Sequence, residues 1–245
     1  MERTLSELTE KLRSSFGQRL VAVVLYGSAV VGDQQSSFSD LNVLCVLDRL
    51  TPEEMGRAEE IFRWWRAAGN PAPLLLTRHE LETSTDVFAI EFHDIRREHR
   101  ILYGEDVISP LVLEERYYRA QVEHELRAKL LRLRQKVSGM LSDKDLLLRC
   151  MADSLSTFCV LFRHALLLHG EDGGMKKREV IEQAERTFGI DPLPFRKLLD
   201  IREKRAKPRD LDAVGLLDSY LRAIGSVIDA VDRIPPKPEA PESRP

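Results

Sequence analysis

The stretch that most constrains this chain is LVAVVLYGSAVVGDQQSSFSDLNVLCVL, residues 20 to 47. Leu20 to Tyr26 carries no charge and is rich in β-branched side chains, as a strand buried on both faces requires. Gly27 then permits a tight backbone, and Ser28 is suited to cap a helix whose free N–H groups face outward. Such an end attracts phosphate. After a polar loop, Ser39-Asp40-Leu41-Asn42 opens a second apolar run. On a strand, Asp40 and Asn42 point one way while Leu41 and Val43 face the core. Phosphate donors are thus expected opposite a place for a cation.

This combination resembles the DNA polymerase β-like nucleotidyltransferase superfamily. Its signature is an apolar residue, Gly, Gly or Ser, a spacer of roughly ten residues, then Asp-apolar-Asp/Glu-apolar. Gly27-Ser28 and Asp40-Leu41-Asn42-Val43 match it except at Asn42, so the motif reads Asp-x-Asn. The resemblance implies that Gly27, Ser28 and Ser39 hold the phosphates of a nucleoside triphosphate. It implies equally that Asp40 and Asn42 hold Mg²⁺ and that Asp40 is catalytic. Asn42 offers a carbonyl oxygen without charge, which weakens both metal binding and rate. The family's remaining carboxylate often comes from the next strand, and here that run is Leu74-Leu75-Leu76.

The next acids, Asp86, Glu91 and Asp94, fall in DVFAIEFHDIRREHR. Phe88, Phe92 and Ile95 fit a helix; Phe88, Ile90 and Phe92 fit a strand. The helix is preferred, which makes Glu91 and Asp94 surface residues. On the strand reading Glu91 is the third ligand or the base, and Glu91 and Asp94 are the only nearby candidates for the missing acid.

The rest of the chain supplies the frame. Leu5, Leu8, Leu12 and Phe16 predict an amphipathic helix over residues 2 to 16. Thr51-Pro52-Glu53-Glu54 reads as a capping box, with Met55, Ala58, Phe62 and Trp65 as the apolar face of the following helix. Glu53-Glu54 and Glu59-Glu60 are expected on its solvated side, with one ring of Trp64-Trp65 in the core and the other at the surface. Ile101 to Gly104 reads as a closing strand. Beyond Ser109-Pro110, Leu111, Tyr118, Val122, Leu126, Leu130, Leu133 and Val137 form one apolar stripe. Further helical patterns start at Ser142-Asp143, Lys176 and Asp191, and a last one carries Val214 to Val231. The expected fold is α+β: a small mixed-sheet domain over residues 1–108, an all-helical bundle over 109–234, and a disordered Pro-rich tail over 235–245. The pairing resembles single-chain bacterial nucleotidyltransferases, including the aminoglycoside-modifying ones.

Composition narrows the class. The chain has 245 residues, 43% hydrophobic and 31% charged, the balance of a soluble globular protein. Its net charge of −3 gives no signal for bulk nucleic-acid binding. Cys45, Cys150 and Cys159 lack metal or redox spacing and are expected as free thiols in a reducing cytoplasm. No apolar run approaches membrane-spanning length. His79, His93, His99 and His124 are expected on solvated helix faces.

Two expectations of function follow, with a third standing apart. The first is an Mg²⁺-dependent transferase moving a nucleoside monophosphate from an NTP to a hydroxyl of a small-molecule or protein acceptor. The second is a non-catalytic descendant that binds a nucleotide or a partner in the same cleft. The helical domain is also expected to offer a homodimer surface. The third expectation comes from Arg163 and His169, which loosely match the Arg-x4–6-His pattern of HEPN-type ribonuclease domains.

Overall fold

The computed structural model describes residues 1–27, 29–30, 41–206 and 211–235. The described residues divide by their contacts into two compact units, Met1–Glu115 and a second beginning at Arg116. The architecture is α+β: a small mixed sheet with flanking helices, then helices alone.

In the first unit α1 (Glu2–Phe16) leads through a single 3-10 turn into β1 (Leu20–Tyr26). β2 (Asn42–Leu47), α2 (Pro52–Ala67) and β3 (Leu74–Thr77) follow. Next come α3 (Arg78–Thr83), α4 (Ala89–Arg97) and β4 (His99–Gly104). The sheet order is β3-β2-β1-β4, with β1 antiparallel to both neighbours and β2 parallel to β3. Strand alternation sends Leu20, Val23, Leu25, Val43, Cys45 and Leu47 to a core shared with α1 and α2. The opposite face carries Ala22, Val24, Leu44 and Val46, covered by Leu81 of α3 and by Phe92 and Ile95 of α4. α3 has no apolar periodicity in the sequence. It starts because Thr77 and Glu80 close a reciprocal capping box, satisfying two otherwise free backbone donors.

The start of α2 departs from the sequence reading. Its buried residues are Glu54, Ala58, Ile61 and Trp65, whereas Met55 is exposed. Positions 54, 58, 61 and 65 are one helical stripe, so Glu54 is carried inward by the same periodicity that buries Trp65. A buried carboxylate needs partners. Thr51 donates its hydroxyl to Glu54, Arg19 reaches it at 2.5 Å and Arg49 at 3.3 Å. Thr51 therefore does not cap the helix with its side chain. The Thr51 hydrogen bond comes first among the causes that bring the Glu54 carboxyl down to about 2. Trp65 is buried with its indole N–H on the Pro71 carbonyl, and Trp64 lies nearer the surface under Lys11.

The second unit holds α5 (Tyr118–Val137), α6 (Lys144–Leu168), α7 (Lys177–Phe188), α8 (Leu193–Arg202) and α9 (Ala213–Asp232). α6 packs against each of the other four. Phe158, Phe162, Phe195 and Tyr220 make its aromatic centre, with ring centroids 4.8 to 6.5 Å apart. Buried aromatics give a bundle much of its apolar burial, and these orient edge to face or tilted. Leu111, assigned by periodicity to the first stripe of this unit, instead joins Val107 and Ile108 in the sheet core. Leu146 and Val214 sit exposed in the first turns of their helices. The Pro-rich tail beyond Pro235 and the segment around Pro208 lie outside the described residues.

Candidate active site

β1 ends at Gly27, whose φ of 81° an L side chain rarely adopts. The turn is tied on both sides. Gly27 donates its N–H to the Glu98 carbonyl at 3.1 Å, and its own carbonyl accepts from Val30 N–H at 3.0 Å. A Cβ added at Gly27 would lie 3.4 Å from Nδ2 of Asn42. The glycine turn and the first residue of β2 are therefore neighbours with room for about one methyl group between them, which the sequence spacing alone left open.

Register sets what stands beside them. Tyr26 pairs with Asn42 on one side and with His99 on the other. Directly paired residues share a face, and Tyr26 packs against the cluster formed by Phe92 and Ile95. Asn42, Tyr26 and His99 thus form a polar row at one end of the face that α4 covers. Leu41 and Val43 turn to the other core, as strand alternation predicts.

Glu91 is the acid whose charge reaches this row. It lies in the first turn of α4, one turn before Ile95, and is exposed. Burial, and secondarily the negative charge of Glu91, push the Tyr26 phenol above its ordinary range. No hydrogen bond joins the two. Among the described residues none hydrogen-bonds the side chains of Tyr26, Asn42 or Glu91. His99, by contrast, is fixed: its Nδ1 lies 3.3 Å from the Arg96 carbonyl and its Nε2 3.7 Å from Asp106. It stands on β4 with only 15% of its side chain exposed, not on a solvated helix face. The Asp106 carboxyl is held below the usual range, first by its hydrogen bonds to Ser109.

Of the residues singled out by sequence, Gly27, Asn42 and Glu91 come to this one end of the sheet. Ser28, Ser39 and Asp40 lie outside the described residues. Within the stretch 86–100 that fitted either helix or strand, Ala89–Arg97 is helical, and Asp94 on it is half-buried. β3 brings no acid: Leu74 and Leu76, level with Leu44 and Val46, are its residues on this face. No group of three His, Cys, Asp or Glu among the described residues comes together to hold a metal. The donor chemistry nonetheless suits Mg²⁺, a hard cation that accepts carboxamide and carboxylate oxygens, and no hydrogen bond from another described residue competes for the Asn42 carboxamide. Tyr26 and His99 were missed. Parity would have found Tyr26, since it directly precedes the glycine at the end of a strand.

Arg163 and His169 do not form a second centre. Arg163 is buried on α6 with 5% exposure, while His169 ends the helix and meets Phe188 edge-on at 5.0 Å. Six residues at about 100° each leave the two side chains on different sides of the helix. The neighbouring His164 is fully buried, its Nδ1 2.6 Å from the Tyr118 hydroxyl. Burial pushes the Cys45 and Cys159 thiols up to about 12, so both are inert as nucleophiles. No described helix is long and apolar enough to cross a membrane.

No family model matches the sequence, and no curated protein sequence does. The fold is similar to that of the spectinomycin adenyltransferase AAD(9) from Enterococcus faecialis, solved with ATP and spectinomycin. The TM-score is 0.59 at 12% identity, covering 95% of this chain and 100% of that one. At this identity the likeness shows the fold alone, a mixed sheet followed by helices.

Proposed function

We propose that this protein transfers a nucleoside monophosphate from a magnesium-bound nucleoside triphosphate to a hydroxyl of an acceptor, either a small molecule or a protein side chain. The convergence of the left-handed Gly27 turn, Asn42 and Glu91 at one end of a sheet of adenyltransferase type carries this reading. Gly27 and Ser28, with Ser39, would hold the phosphates. Asp40 and Asn42 would hold Mg²⁺, which when bound neutralises charge developing on the phosphates. Glu91 would take the acceptor proton. The test is incubation of the purified protein with labelled ATP, GTP, CTP and UTP and Mg²⁺ or Mn²⁺. Label on the protein or on an added acceptor, lost in Asp40→Ala and Glu91→Gln, supports the reading. Silence under every condition refutes it.

The neutral Asn42 and the apolar run of β3 favour a second reading, a module that binds nucleotide without turning it over. Asn42→Asp separates the two. A gain in Mg-ATP affinity of about tenfold or more without turnover favours the binding module, since one added carboxylate strengthens a hard-cation site.

A further inference from the structure

We propose that His99 is a positioning residue for the phosphate-binding turn, bracing the backbone at Glu98, whose carbonyl holds the Gly27 N–H; this deepens the nucleotide reading above and rests on it. Each link of the brace is a short contact. Gly27 donates its N–H to the Glu98 carbonyl at 3.1 Å, and Glu98 donates its own N–H to the Asp94 carbonyl of α4 at 3.2 Å. Glu98 thus ties the end of α4 to the turn. One imidazole then joins the chain just before Glu98 to the loop after β4. Nδ1 of His99 lies 3.3 Å from the Arg96 carbonyl, which can only accept, and Nε2 faces the Asp106 carboxylate at 3.7 Å. Asp106 is itself anchored: it accepts at 3.0 Å from the N–H groups of Ile108 and Ser109, and Ile108 is fully buried in the sheet core. Register completes the arrangement, because His99 pairs with Tyr26, the residue before Gly27.

The last carbonyls of a helix have no partner within it, and Arg96 stands in the last turn of α4. The His99 ring supplies one. Without the ring that carbonyl turns to water, and the extended Glu98, at φ −135° and ψ 94°, can swing its own carbonyl off Gly27. The sheet does not need the ring, since backbone pairing between β1 and β4 runs from Ala22 to Tyr26. The loss therefore falls on the strand end, where the turn begins. A site that grips phosphate with backbone N–H groups is only as exact as its backbone is rigid. With its side chain 15% exposed and both ring nitrogens facing protein oxygens, His99 serves to hold the turn and not to touch the nucleotide.

The experiment has two arms on the full chain, with two variants. His99→Phe keeps a ring and loses both nitrogens; Asp106→Asn keeps an oxygen for Ile108 and Ser109 and loses the charge that faces the ring. The first arm is amide hydrogen exchange without nucleotide, read at Gly27 and, as a control, at Val24 in the middle of β1. In His99→Phe the Gly27 amide is expected to exchange about tenfold faster with Val24 unchanged, since a local opening costs less than a global one. Exchange at Gly27 that moves in neither variant, or that rises equally at Val24, overturns the proposal. The second arm is fluorescence titration with the Mg²⁺ complexes of ATP, GTP, CTP and UTP. His99→Phe is expected to bind about tenfold more weakly, the worth of one orienting hydrogen bond, and in turnover to raise KM for the NTP with kcat unchanged. A fall in kcat with KM unchanged overturns it, because the ring would then act on the chemistry. Wild type that binds none of the four overturns the nucleotide reading and this proposal together; wild type that binds, with both variants binding equally well, overturns this one alone.

Discussion

At the scale of single residues, the site depends on a backbone conformation more than on any charge. Gly27 has φ of 81°, and both its N–H and its carbonyl are committed, so the turn cannot relax by rotating away. An L residue in this region costs about 1–2 kcal/mol. Gly27→Ala is therefore expected to lower Tm by about 5 °C in a chain of this size. Its Cβ would also occupy the space beside Asn42, in van der Waals contact at 3.4 Å, on the turn proposed to receive the phosphates, so nucleotide affinity should fall by more than the stability loss explains. Thermal unfolding beside a fluorescence titration with nucleotide separates the two effects. Gly27→Asn, better tolerated in the left-handed region, should recover part of the Tm. A Gly27→Ala protein with unchanged Tm and affinity would mean that the turn is not strained. The need for a glycine was legible in the sequence, because an apolar strand followed by Gly-Ser leaves few other backbones. The nearness of Asn42 was not, since a spacer of that length fixes no distance.

Secondary elements were legible where periodicity decides them and opaque where a polar residue falls on an apolar stripe. The long helices α5, α6 and α9 follow their leucine and valine spacing, and β1 and β2 follow their uncharged runs. α2 shows the opposite case. Glu54 looks like the acid of an N-terminal capping box, but its burial is made tolerable by the Thr51 hydroxyl together with the three-dimensional arrival of Arg19 and Arg49. Its pH behaviour gives a test. The folded carboxyl titrates near 2 against an ordinary 4.5, so it binds its proton more weakly in the folded state. A depressed carboxylate contributes stability that is present above the unfolded pKa and is lost as pH falls through the folded one. The Tm difference between wild type and Glu54→Gln is therefore expected to be full above about pH 5 and to shrink steadily between about pH 4.5 and 2. Melts across that range read it directly. A difference independent of pH would mean that Glu54 contributes through shape, not charge.

For the whole molecule, the order of a sheet unit and then a helical unit follows from the switch in pattern along the chain, but the place of the switch does not. Leu111 lies on a three- and four-residue spacing that runs smoothly into Tyr118 and Val122, so periodicity assigns it to the first helix of the bundle. In the fold that helix starts only at Tyr118, and Leu111, 7% exposed, packs with Ala22, Val24 and Ile95 on the sheet. Val107, Ile108, Leu111 and the half-buried Leu113 together close the face that α3 and α4 leave open. A first unit ending at residue 108 would therefore lack part of its own core, whereas one ending at Glu115 retains it. Removing one such leucine from a core typically costs about 2–5 kcal/mol. Fragments 1–115 and 1–108, prepared side by side, should both contain the sheet, but the shorter is expected to melt about 10 °C lower, given the loss of at least one core leucine. Leu111→Ala in the longer fragment should reproduce most of that loss. Two fragments with the same melt, or a Leu111→Ala as stable as its parent, would show that the connection after β4 only links the units and that the sheet closes its face without it.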